Sequence, residues 1–216
     1  MGRVSLLIDS KLFIGMKQLL ENWRRYLTEE ELLTEAAFEP EDLPEDISVV
    51  VESEDTGASI YLARQGSGGW EALSSGKVYG EIDINPATET RGFACGGAWV
   101  VHHSMAASGW GPMLYDIAIE HATIAAGGLT SDRFDVSPEA EKIWKHYFEN
   151  RPDVQAHQLE DKKFIKTGEY AVKAHPDGCP QDVAEPDWED SPLSKRYTKA
   201  PTMMDRLEKM GKLIKK

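Results

Sequence analysis

Cysteine is scarce in this chain of 216 residues: Cys95 and Cys179 stand 84 positions apart. Two cysteines at that separation make neither a disulfide framework nor a zinc motif. His175 and Cys179 form one potential ligand pair, but no second pair lies near them, so no metal site is expected. A reduced, cytoplasmic compartment is the expectation. Nowhere do about 18 apolar residues follow one another, which excludes a membrane-spanning helix. The first residues resemble a myristoylation signal, yet Leu6 stands where Ser or Thr is needed. Asp9 and Lys11 interrupt the apolar stretch that a secretory leader requires.

Positive charge is also in short supply, with 24 Lys and Arg against 37 Asp and Glu, a net −13. The deficit is uneven. Residues 195–216 hold eight cations against Asp205 and Glu208, a surplus of six, so the rest of the chain carries −19. Such a body repels a phosphate backbone at long range, which counts against nucleic acid as the main partner. What is present suits an ordinary globular domain: 41% of residues are hydrophobic and 28% charged. One domain with appended ends is expected.

Along the chain, Leu12, Phe13, Met16, Leu19, Leu20 and Trp23 recur at helical spacing, and a second short helix is expected over 29–37. Proline-bearing, acidic 39–46 closes this N-terminal segment of 1–46. "ISVVVES" and "ASIYLARQ" read as paired strands, and "KVYGEIDINPA" as a third strand stopped at Asn85-Pro86. "GGAWVVHHSMA" is apolar on both faces and reads as a central strand. A helix from Met113 to about Ala126, a short strand at Leu129 and a helix opening at Ser137-Pro138 follow. The last of these repeats Ala140, Ile143, Trp144 and Tyr147 at helical spacing. "DVQAHQLE" and "KKFIKTGEYAVKA" are weaker strands. The segment 176–216 is an irregular acidic stretch followed by a basic amphipathic tail, with Met203, Leu207, Met210 and Leu213 near one face.

Between the central strand and the next helix lies "SMAASGWGPMLYDIAIEHA". The first amides of a helix lack intrahelical partners and carry the positive end of its dipole. Gly109 and Gly111 let a ligand approach the backbone, and Pro112 suits a first helical turn. Either a phosphate cradle or a tightly packed turn satisfies this pattern. No Gly-Lys-Ser/Thr follows, so it is not a Walker loop, and Leu114 stands at the third position of GxGxxG. In "TSDRFD", Asp132 and Arg133 fit a helix entrance better than chemistry, because Asp favours a positive N-terminus.

"SGWGPMLYDIAIEHA", followed by "GGLTSDRFDVSPEAEKIWKHYFENRPDV", resembles the core of the GNAT superfamily of N-acetyltransferases. The likeness is strongest to divergent bacteriophage-encoded GNAT-like proteins. It spans about residues 97–160, with looser agreement over 47–85. The resemblance implies an α/β domain over 47–175: a mixed, mostly antiparallel twisted sheet with helices on both faces. It implies acyl transfer from acetyl-CoA, as co-substrate, to a primary amine, in the host cytoplasm if the chain is phage-encoded. The pantetheine arm would lie along the strand ending at Ser104, Met105 and Ala106. Ser108, Gly109, Trp110, Gly111 and Pro112 would then hold the pyrophosphate. Ala106 stands where the family has Gln or Arg. The resemblance also makes Tyr147 the acid for the leaving thiolate, unless it is a core aromatic. The general base is open between Glu81 and His103. Two other readings remain: a catalytically silent phage accessory or interaction protein, and a phage enzyme modifying DNA bases. Partners would be acyl-CoA with an amine acceptor or host protein, and a homodimer is compatible.

Overall fold

The strand Gly80–Pro86 alternates buried and half-buried side chains, while the strand Ile47–Glu54 is buried continuously over Ile47–Val51. The computed structural model describes residues 37–54, 57–66, 69–72, 80–86, 95–133, 136–159 and 189–216. The strands are β1 (Ile47–Glu54), β2 (Gly57–Gly66), β3 (Gly69–Ala72), β4 (Gly80–Pro86), β5 (Trp99–Ala106), β6 (Leu129–Thr130), β7 (Val154–Gln158), β8 (Lys195–Lys199) and β9 (Leu213–Lys215). The helices are α1 (Gly111–Ala125), α2 (Pro138–Asn150) and α3 (Thr202–Lys209). One sheet runs β7-β8-β6-β5-β4-β2-β1-β9, with β3 also paired to β2. Only β1 with β9 and β5 with β6 pair in parallel; the remaining pairs are antiparallel. The expected mixed, mostly antiparallel α/β architecture is observed.

Val49 and Val51 face Leu62 and Ile60, and Ile60 and Ala58 face Ile82 and Ile84. These side chains form one core with Met113, Leu114 and Ile117 of α1, Trp144 and Tyr147 of α2, and Met203, Met204 and Leu207 of α3. The three described helices therefore share one apolar layer, while Ser59, Tyr61, Glu81 and Asp83 alternate away from it. Helix α1 is buried continuously from Met113 to Glu120, as befits a helix enclosed on all sides rather than on one stripe. Its two carboxylates, Asp116 and Glu120, consequently require buried partners. Helix α2 starts as its sequence dictates: Ser137 Oγ accepts the Ala140 amide at 3.2 Å, with Pro138 in the first turn.

Several expectations are revised. The end of β5 is not buried on both faces, since His102 to Ala106 are exposed. Strand β3 lies outside the segments read as strands from the sequence. Residues 195–216 enter the sheet rather than trailing from it: β8 lies between β6 and β7, and β9 lies beside β1. Met203, Met204 and Leu207 are buried while Met210 is exposed. Cys95 is buried and disulfide-bonded, where the sequence reads as thiol; the one other cysteine, Cys179, lies outside the described residues. Residues 38–216 belong to one compact unit. Of the expected N-terminal helical segment, 1–36 lies outside the described residues and the rest holds a 3-10 turn at Pro40–Asp42. The expected strand over 162–174 also lies outside them. No helix among the described residues is long and apolar enough to cross a membrane.

Candidate functional site

Strand β5 pairs with β4 along its whole length, from Trp99 to Ala106, but with β6 only at Trp99 and Val100. A two-residue β6 cannot follow it further. Beyond Val100 no strand among the described residues pairs with this edge of β5. Across from the open part of β5 stands the start of α2, at Pro138. Between them opens a cleft of about 300 Å³, lined by Val101, His102, His103, Ser104, Tyr115, Asp132, Val136, Ser137, Ala140 and Trp144.

Tyr115 projects from the first turns of α1 and is 2% exposed. Its ring meets Trp144 edge-on at 5.6 Å, and its hydroxyl lies 3.0 Å from Ser104 Oγ on the open strand. Burial raises the Tyr115 phenol above its ordinary value, against a smaller opposing effect of the Ser104 bond, so it stays protonated at neutral pH. Tyr115 does not stand out in the sequence as a site residue, and Asp132 reads there as part of a helix entrance. The strand order and the shortness of β6, which bring them together, are not properties of any local motif.

The turn ahead of α1 is half open. Ser104, Met105, Ala106 and Ser108 are exposed, and Gly109, Gly111 and Pro112 are partly so. Gly109 has φ +89°, a conformation that suits glycine. At Gly111 an added Cβ would meet only the Ala106 Cβ at 3.7 Å, an ordinary contact, so packing alone does not require glycine there. Trp110 behaves as core: it is buried and stacks on Phe38 with centroids 4.4 Å apart. The Phe38 amide also donates to Gly109 O at 3.0 Å. The carbonyl side of the turn is thus covered, while the first amides of α1 have no partner inside the helix until Leu114 donates to Trp110 O at 3.2 Å.

Tyr147 is not brought into the cleft. It is 2% exposed, and its hydroxyl donates to Asp116 Oδ1 at 2.6 Å and to Pro112 O at 3.1 Å. Burial, then the Asp116 carboxylate, push its phenol well above the ordinary value. Asp116 Oδ2 accepts from Arg151 at 2.8 Å. One turn on, Glu120 pairs with buried Lys199 and accepts the Met203 and Met204 amides at 2.8 and 2.7 Å. Glu120 thereby caps α3, and the whole cluster joins α1, α2, β8 and α3.

Glu81 and His103 are brought together. Glu81 lies opposite Met105 and Asp83 opposite His103, and His103 Nε2 stands 3.7 Å from Glu81 Oε1. The register then jumps, so that Ile84 faces Val101 and His102 becomes the extra residue of a bulge. His102 lines both the cleft and a second hollow of about 240 Å³ bordered by Glu52, Glu54, Ser59, Asp83 and Asn85. Within that hollow, Ser59 donates to Asp83 Oδ1 at 2.6 Å. Among the described residues no group of three metal-ligating side chains is placed to hold an ion. No protein-family model matches the chain, and no curated protein or solved structure matches it.

Proposed function

We propose that the chain is an N-acyltransferase of the GNAT type, moving an acetyl or related acyl group from acyl-CoA to a primary amine. The observation that carries this is the parting of β5 and β6 beside the start of α1. It brings together, among the described residues, a strand edge beyond Val100 and a cleft that holds Val101, Val136, Ala140 and Trp144, with the start of α1 following β5 in the chain. Val101, Val136, Ala140 and Trp144 suit a methylene-rich arm, and the amides at Gly111 and Met113 suit a pyrophosphate. In the transfer, the amine nitrogen bonds to the acyl carbon as the carbon–sulfur bond breaks. The amine proton leaves by way of a base, for which the Glu81–His103 pair is the candidate, and the thiolate takes up a proton.

Calorimetric titration of the full chain with acetyl-CoA tests the reading. Binding is expected; no heat and no change in melting temperature at millimolar ligand would refute it. A second reading, a fold of this type that serves as an interaction protein without chemistry, is favoured by two observations. Ala106 offers no side-chain donor beside the turn, and the Tyr147 hydroxyl is engaged by Asp116. Under that reading no acyl transfer is detected to any amine.

A further inference from the structure

The Ser104 and Tyr115 hydroxyls carry two hydrogens between them, and the bond that joins them at 3.0 Å uses one, whichever group donates. Neither hydroxyl has another partner among the described residues. One O–H is therefore always left over, and both residues line the cleft. We propose that Ser104 and Tyr115 act as a single hydrogen-bond donor to a carbonyl oxygen of the ligand lying in this cleft, an inference that rests on the acyl-CoA reading above.

The surroundings select a neutral oxygen. Asp132 borders the same cleft, and a carboxylate there disfavours an anionic ligand group, while Val101, Val136, Ala140 and Trp144 supply apolar wall. Among the described residues no Lys or Arg lines the cleft to favour a phosphate or carboxylate. Two carbonyl types meet this description, the thioester carbonyl and the amide carbonyls of the CoA arm. The position of the pair also differs from that of a structural hydroxyl. Ser104 lies on the open part of β5, exposed, whereas a hydroxyl kept only for folding is satisfied inside the protein.

The test is calorimetric titration of the full chain and of Ser104→Ala, Tyr115→Phe and the double variant, with acetyl-CoA and with CoA. The double variant is expected to bind acetyl-CoA roughly tenfold more weakly, as loss of one hydrogen bond predicts. Each single variant should lose less than threefold, since the other hydroxyl keeps its hydrogen. A loss confined to acetyl-CoA assigns the thioester carbonyl; an equal loss for CoA assigns an amide of the arm. Ser104→Thr, which retains the hydroxyl, should bind as the wild type does. A double variant that melts normally and binds both ligands within twofold of the wild type overturns the proposal. A wild-type chain that binds neither ligand overturns the acyl-CoA reading itself, and the two failures are thereby told apart.

Discussion

Tyr115 and Asp116 are neighbours on α1, yet they belong to two polar regions of opposite character. On the side of Tyr115, two hydroxyls share one hydrogen bond, and no strand among the described residues pairs with the edge beside them. On the side of Asp116, each carboxylate oxygen is taken: Oδ1 by Tyr147, Oδ2 by Arg151, and both oxygens of Glu120 by Lys199 and the α3 amides. Buried polar atoms that are fully partnered hold a fold together, whereas polar atoms left with spare capacity at an open cleft are available to a ligand. By that measure the closed cluster is a structural joint and the open one a site. The distinction can be broken or sharpened by substitution.

The largest effect is expected at Glu120. Glu120→Gln takes from the buried Lys199 ammonium its nearest carboxylate, leaving Asp116 and Asp153 at 3.7 Å, and weakens the cap of α3. Breaking a buried pair from one side costs about 3–5 kcal/mol, and urea unfolding should show a loss of that order. Glu120→Gln combined with Lys199→Met should recover part of it, because no charge is then stranded. A double variant as unstable as the single would show that the cap, not the ion pair, dominates.

Tyr147→Phe comes next and bears on the roles themselves. Loss of a hydrogen bond to a charged group is worth about 1.5–3 kcal/mol, so the variant should unfold at lower denaturant. If its hydroxyl serves Asp116 alone, turnover of any acyl-transfer activity stays within about threefold, or some 0.65 kcal/mol in the barrier. A proton donor to the thiolate instead predicts a fall of about 100-fold or more, with affinity for acetyl-CoA unchanged. A fall of that size would move Tyr147 from the closed region to the site and erase the contrast drawn here.

Gly111→Asp probes the start of α1, the proposed pyrophosphate end of the ligand path. Its side chain enters free space against Ala106, so melting should hardly move. A carboxylate beside the first α1 amides would repel a pyrophosphate, and CoA should bind about tenfold more weakly or worse, which is roughly 1.4 kcal/mol. Unchanged CoA affinity in the folded variant would remove the helix start from the proposed path.

The two regions were unequally legible in the sequence. Ser137-Pro138 marked the start of α2, alternation marked β4, and the paired runs "ISVVVES" and "ASIYLARQ" marked β1 and β2, because caps and short strand patterns are local. "KRYTK" gave no such signal: Lys195 and Lys199 read as exposed cations, yet both are buried in β8 and Lys199 meets Glu120 from 79 positions away. The open cleft was half legible. The glycine turn at 109–111 pointed to it, but Tyr115 and Asp132 enter it only because β6 stops after two residues. Tyr147 shared its helical spacing with Trp144, and nothing in that spacing tells a cleft hydroxyl from one bonded to Asp116.

The smallest effect tests where the closed region ends. Arg151 grips Asp153 with two bonds, Nε to Oδ1 at 2.9 Å and one terminal nitrogen to Oδ2 at 2.8 Å, while its other contact reaches Asp116. The Arg151 hydrogen bonds hold the Asp153 carboxyl below its ordinary value. A depressed carboxyl contributes stability that is complete above its unfolded value, near 3.8, and lost as pH falls through the lower folded value. Asp153 is nearly half exposed, so water and salt screen the pair, and Asp153→Asn should cost under about 1 kcal/mol at pH 7. That difference from wild type should shrink below about pH 4, as the wild-type carboxyl protonates, and shrink again in molar salt. Urea unfolding of both proteins at pH 7 and near pH 2.5 measures it. A gap unchanged at the lower pH would mean that Asp153 acts through packing, and that the charged joint stops at Arg151.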